Sequence, residues 1–159
     1  MGEIARRTVQ EEFNWEPELD AFLHAITNPR IAKLLSQAEY DGSEEIWPAD
    51  IASQLGDCSV TVRTEFPIAV SSAEGILNGQ IDRLVLFRKG QTVVAADIID
   101  FKTDRLARGS SEEIRSLVNR YRPQQHAYQD AISQLYHLDP AAIAVRLVFT
   151  EALQVESVN

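Results

Sequence analysis

The chain has 159 residues, of which 45% are hydrophobic and 25% charged, with a formal net charge of −9, proportions that fit one ordinary globular domain. No run approaches the roughly 18 apolar residues of a membrane span, no signal-peptide-like apolar core opens the chain, and a single cysteine, Cys58, excludes an intrachain disulfide framework or a multi-cysteine zinc site. A cytoplasmic protein with no membrane partner is expected, and the acidic balance argues at first sight against nucleic acid.

Residues 1–40 read as helical and acidic. Leu19, Phe22, Leu23 and Ile26, then Ile31, Leu34 and Leu35, follow the spacing of an amphipathic helix. Asn28-Pro29 interrupts it, and Asn28 is a candidate N-cap for a second short helix with Pro29 in its first turn. His24 on this segment is a metal-ligand candidate or a plain surface histidine. Asp41-Gly42-Ser43 marks a turn, and Trp47-Pro48 stops any helix before it.

Strands follow. From Ser59 to Val70 the chain alternates, with Val60, Val62, Thr64 and Phe66 on one side and Thr61, Arg63 and Glu65 on the other, which predicts a strand ending near Pro67. Gly75 to Phe87 is a second strand, Arg88-Lys89-Gly90-Gln91 a hairpin connection, and Thr92 to Phe101 a third strand, apolar on both faces at Val93-Val94-Ala95-Ala96. Ser110 and Glu113 form a capping box that opens a helix through about Val118. Pro123 predicts a break and a new helix from near Asn119 to about Tyr136. Ile143 to Thr150 is a last strand, which Leu153 to Val158 extends or pairs with. The expected fold is α/β in a single domain. A helical N-terminal part (1–58) precedes a core (59–159) with a mixed central β-sheet flanked by helices.

The chemistry gathers on the second and third strands. Asp100 and Lys102 alternate onto one face of a strand, with Ile99 and Phe101 on the other. Asp82 lies on the preceding strand. Two carboxylates on paired strands can share one divalent cation, and an oxygen-only donor set favours Mg²⁺ or Mn²⁺, with the Phe101 carbonyl as a further ligand. Lys102 is placed to stabilise charge on a phosphate. The plainer alternative is a same-face surface ion pair of small value, with Asp82-Arg83 as edge polarity. Gln124 and Tyr128, four residues apart, share a helix face with Tyr121 and Gln125. The stretch 102–122 carries six basic side chains (Lys102, Arg105, Arg108, Arg115, Arg120, Arg122) against three acidic ones. Such a patch can hold phosphates despite the acidic whole, because screening confines charge effects to about 8–10 Å; read alone it is equally a solvated helix face.

Four segments together carry a resemblance: Arg63-Thr64-Glu65-Phe66-Pro67, Gly79-Gln80-Ile81-Asp82-Arg83-Leu84, Ile99-Asp100-Phe101-Lys102-Thr103-Asp104, and Tyr121-Arg122-Pro123-Gln124-Gln125-His126-Ala127-Tyr128. They look like the Glu-containing first strand, the Gly-x-x-Asp motif, the Asp-x-Lys-Thr-Asp motif and the Gln-x-x-x-Tyr motif of RecB/AddA-type nuclease domains in the PD-(D/E)XK phosphodiesterase superfamily. The resemblance implies a restriction-endonuclease-like core and a Mg²⁺- or Mn²⁺-dependent DNA exonuclease acting in double-strand-break repair or recombination. It implies Asp82 and Asp100 as metal ligands, Lys102 as catalytic lysine, and Gln124, Tyr128, Arg83 and Arg122 as DNA-facing support. The implied partners are DNA and a superfamily-1 helicase module, in the same or a partner chain. A further metal-site histidine usually precedes these motifs in a Gly-x-x-x-His context that this sequence lacks. The expectation is a fragment of a larger helicase–nuclease that starts downstream of that histidine, or else that His24 substitutes for it. A nuclease-like scaffold that binds DNA or a partner protein without cutting is the alternative. Asp97, on the opposite strand face, drops out of the site, and Asp104 stays in the pattern without a role.

Overall fold

The computed structural model describes residues 23–36, 47–72, 75–106 and 110–158. Most of the acidic N-terminal segment, the Asp41-Gly42-Ser43 turn and Arg108 lie outside the described residues. Residues 23–27 are helical and lead into α1, Pro29–Leu35. Asn28 caps α1 as expected, its Oδ1 accepting the backbone N–H of Arg30 and Ile31, with Pro29 in the first turn. After Trp47-Pro48 comes α2, Ala49–Leu55.

Five strands form one mixed sheet in chain order: β1 (Ser59–Ser72), β2 (Gly75–Lys89), β3 (Thr92–Lys102), β4 (Ile143–Phe149) and β5 (Gln154–Ser157). β1 pairs antiparallel with β2 and β2 with β3; β4 lies parallel to β3, and β5 returns antiparallel on β4. The parallel pair requires a long crossover. That crossover is α3, Ser111–Tyr136.

The sheet separates two apolar layers. On one side α3 buries Ile114, Val118, Tyr128 and Ile132 against Leu84, Leu86, Ile98, Val145 and Leu147. On the other, Ala25, Ile31, Leu34, Trp47 and Leu55 cover Val85, Phe87, Ile99 and Val148. Trp47 meets Phe87 edge-on, ring centroids 5.7 Å apart. β3 alternates between the layers, as a central strand buried on both faces must.

Three expectations are corrected. Pro123 does not divide the helix: α3 is continuous for 26 residues with the proline inside it. Its buried stripe runs Ile114, Val118, Tyr121, Gln125, Tyr128, Ile132, in steps of four and three, straight past the proline. Burial along both halves of one face outweighs the lost hydrogen bond and the ring's clash with the preceding turn, about 3 kcal/mol. β1 does not end near Pro67 but runs through it to Ser72. β1 is an edge strand, where a missing N–H costs no ladder bond. Nor do Val60, Val62 and Phe66 share a side. Val60 and Val62 pack in the α1–α2 layer, Phe66 and Ile68 in the α3 layer. Glu65 between them is left-handed (φ 50°), which breaks the alternation.

A second irregularity lies in the β2–β3 hairpin, closed by Gly90 at φ 61°. Next to the turn Lys89 faces Thr92 and Arg88 faces Val93, but Phe87 faces Ala95, so the register slips by one residue at Val94. Val93 accordingly packs in the α3 layer, while both Val94 and Ala95 pack in the other.

One buried charge pair ties β3 to β4. The Arg146 guanidinium donates through Nε to Asp97 Oδ1 at 3.2 Å and through its second nitrogen to Oδ2, with both residues at 1% exposure or less. Removing one partner of such a pair strands a charge in the core. Asp97→Ala is expected to destabilise the fold by about 3–5 kcal/mol in urea melts, with most of the loss recovered when Arg146→Met is added. A single-mutant cost below about 1 kcal/mol would contradict the burial of this pair.

Candidate active site

The site forms where the β2–β3 ladder ends. The last paired residues are Arg83 and Ile99. Continuing that register sets Asp82 across from Asp100, on the face toward α3. Like charges directly opposite in a sheet repel. The strands are no longer paired there, and the side chain of Asp82 takes over: its Oδ2 accepts the Phe101 N–H at 2.8 Å. Backbone groups of successive strand residues point to alternate neighbours. The Lys102 carbonyl accepts from the N–H and hydroxyl of Thr150 on the β4 side, at 3.1 and 3.3 Å. The N–H and carbonyl of Phe101 therefore share the edge that faces Asp82.

Asp100 is buried at 5% exposure and its Oδ2 is gripped twice. Lys102 Nζ lies 2.7 Å from it and Gln125 Nε2 donates to it at 2.5 Å. Lys102 Nζ also donates to Gln124 Oε1 at 3.4 Å and stands 4.0 Å from the centroid of the Tyr121 ring. Gln124 Nε2 in turn donates to the Tyr128 hydroxyl at 3.0 Å. The Gln80 backbone hydrogen-bonds that same hydroxyl, and burial is the main reason the phenol's pKa is raised.

This chain of contacts explains the spacing of the motifs. Gly79 faces the Tyr128 ring so closely that a Cβ there would come within 2.8 Å of Cε1 and 2.9 Å of the hydroxyl. Glycine at 79 lets the phenol reach the Gln80 backbone, two residues before Asp82. One turn back on α3, Gln124 spans from Tyr128 to Lys102. The glycine motif, the Asp-x-Lys motif and the Gln-x-x-x-Tyr motif are thus one bonded unit.

Among the expected site residues, Asp82, Asp100, Lys102, Gln124 and Tyr128 converge, and the Phe101 backbone borders them. Tyr128 is 3% exposed, so it faces the core and holds Gln124, while Gln124 itself is exposed. Arg83 is not brought to the site. Strand alternation turns it to the opposite face, where its guanidinium donates to the Leu35 carbonyl at 2.8 Å. Arg122 is half-buried on α3, and Arg105 and Arg120 are exposed. His24 is exposed, next to Ala25 of the opposite layer. Among the described residues no third His, Cys, Asp or Glu joins the two aspartates.

The sequence puts Gln125 on the helix face of Gln124 and Tyr128 but assigns it no role. It is fully buried, holds Asp100, and its Oε1 has no hydrogen-bond partner. A polar residue in the buried stripe of α3 was the available signal. Buried amides keep such positions only when their bonds are needed.

Asp82 has its pKa pushed up to about 6. Burial is the main cause, followed by the proximity of the Asp100 carboxyl; the Phe101 N–H pulls the other way, ahead of the smaller opposing effects of the Asp100 and Lys102 charges. Two carboxylates beside one ammonium carry excess negative charge. Their oxygens, with a backbone carbonyl on the same edge, are the donors a hard divalent cation takes, and the residues present fit one.

The family model described as the PD-(D/E)XK nuclease superfamily matches residues 3–157. No protein of curated function matches the sequence. Among the described residues no helix is long and apolar enough to cross a membrane.

The raised pKa of Asp82 sets a testable pH dependence. Between the ordinary carboxylate value of 3.8 and about 6 the folded chain keeps a proton that the unfolded chain releases, so stability falls as pH rises through that window. A cation at the same oxygens replaces that proton. Mn²⁺ is therefore expected to raise Tm at about pH 7.5 and to lose that effect near pH 5, read by thermal melts. Equal increments at both pH values would place the ion elsewhere.

Proposed function

Since the chain belongs to the PD-(D/E)XK nuclease superfamily, we propose that it is a RecB/AddA-type nuclease domain, a Mg²⁺- or Mn²⁺-dependent deoxyribonuclease of exonuclease character. The mixed five-stranded sheet flanked by helices is the restriction-endonuclease-like fold of that superfamily. In this reading the domain works in the cytoplasm beside a superfamily-1 helicase module, within one larger protein or a partner chain, on DNA ends exposed at double-strand breaks. The motif set Gly79-x-x-Asp82, Asp100-x-Lys102-Thr103-Asp104 and Gln124-x-x-x-Tyr128 supports the subtype. The observation that carries the chemistry is the Lys102 ammonium 2.7 Å from a buried Asp100 carboxylate, which the strand register sets across from Asp82.

In this reading Asp82 and Asp100 hold the cation, with the Phe101 carbonyl on the same edge as a further oxygen. The ion supplies charge neutralisation at the phosphate and makes a water more acidic. Lys102 is the catalytic lysine. Its ammonium, poised beside Asp100, donates to phosphate oxygens as negative charge grows there. Gln125 holds Asp100 from below. Gln124, exposed and already bonded to Lys102, is the supporting side chain nearest to a bound strand, and Tyr128 supports it from the core. Arg122 with Arg105 and Arg120 provides the cationic flank for the DNA backbone, and such contacts make binding salt-dependent.

The test is degradation of linear DNA with Mg²⁺ or Mn²⁺ by the protein that contains this chain. Asp100→Ala and Lys102→Ala are each expected to slow cleavage by at least about a hundredfold, with folding checked by circular dichroism. Cleavage at the unaltered rate in either variant would refute the assignment.

A further inference from the structure

An ammonium on a four-carbon stem is a mobile group, and a lysine that must meet a phosphate at one place needs walls. Two walls of Lys102 belong to the motifs above: the Asp100 carboxylate and the Gln124 carbonyl. The third is Tyr121. Its ring lies under Nζ at 4.0 Å from the centroid, within the range where the negative face of an aromatic ring attracts a cation. The far end of the same ring is fixed as well. The Tyr121 hydroxyl donates to the Asp104 carboxylate, with Oδ1 at 3.0 Å and Oδ2 at 2.8 Å.

Asp104 is two residues beyond Lys102 on the segment that leaves β3. One tyrosine of α3 therefore touches that segment at two points, the ammonium of one residue and the carboxylate of the other. Arg120, the neighbour of Tyr121, adds a guanidinium 3.6 Å from Asp104. The segment is pinned on either side too: Thr150 holds the Lys102 carbonyl, and the Leu106 N–H donates to Glu151 Oε2 at 3.2 Å.

We propose that Tyr121 and Asp104 form a latch that positions the Lys102 ammonium: the ring supplies the wall, and the carboxylate holds the ring in place. Both are positioning residues, since neither touches the reacting phosphate. The inference rests on the nuclease reading for its effect on cleavage, but the latch itself is independent of that reading.

Two measurements on the full chain test it. The first is the chemical shift of the Lys102 ε-methylene protons by NMR. A ring face 4.0 Å from Nζ must move them upfield. The upfield shift is expected to persist in Tyr121→Phe, which keeps the ring, and to vanish in Tyr121→Leu. Asp104→Ala is expected to weaken it, because the ring loses its anchor. No upfield shift in the unaltered protein, or an unchanged one in Tyr121→Leu, would overturn the latch.

The second measurement is cleavage. Tyr121→Leu is expected to lower kcat by about ten- to a hundredfold with little change in KM for DNA, while Tyr121→Phe restores most of the loss. A kcat for Tyr121→Leu within twofold of the unaltered protein, in a preparation where Lys102→Ala abolishes cleavage, would overturn the positioning role. If Lys102→Ala leaves cleavage intact, the nuclease assignment fails, and the NMR shifts alone decide whether the latch exists.

Discussion

Everything in this molecule turns on two carboxylates that the sheet forces to face each other. Asp82 and Asp100 sit across from one another where β2 and β3 part, and no hydrophobic gain comes from putting them there. The surrounding groups act as partial compensation: an amide N–H for Asp82, an ammonium and a buried amide for Asp100. That compensation stops short of neutrality, as the raised pKa of Asp82 records. In the proposed reading, a site left with surplus negative charge accepts a cation, and folding has already met the cost of gathering its oxygens.

α3 is the element that makes this affordable. Its buried stripe begins as ordinary core with Ile114 and Val118 and returns to core at Ile132, and between them it becomes polar. Tyr121, Gln124, Gln125 and Tyr128 all bond to β3, to the segment just beyond it or to each other within that interval. The proline in the same interval removes a backbone donor where side chains carry the connections. The helix is held by apolar burial at both ends and makes its polar contacts in the middle.

Much of this was legible in the sequence, and the reasons for the failures are physical. The run of three strands, a helix and a further strand, the shared face of Asp100 and Lys102 and the Asn28 cap all follow from short-range rules of alternation and capping, and the mixed sheet from that order of elements. Where a long-range contact overrode a local rule, the reading failed. Pro123 signals a break locally, and burial on both sides of it won. Tyr128 looks like a surface partner of Gln124 until Gly79 and Gln80 are seen to receive its phenol. Arg83 stands beside Asp82 in the motif, yet adjacent strand residues face opposite layers. Gln125 carried no signal apart from being a polar residue on a buried stripe, and its meaning appears only with Asp100 in place.

The extra residue at Val94 has a consequence of its own. Antiparallel partners have residue numbers with a constant sum, and here the sum is odd next to the Gly90 turn and even next to the carboxylates. Carried on unchanged from the turn, the odd sum would set Asp82 against Ile99, whose side chain belongs to the α1–α2 layer. The two aspartates would then lie on opposite sides of the sheet. Val94 is thus a parity switch. It frees the hairpin turn from the arithmetic of the site, so the turn can close on whichever residues suit it while Asp82 still meets Asp100.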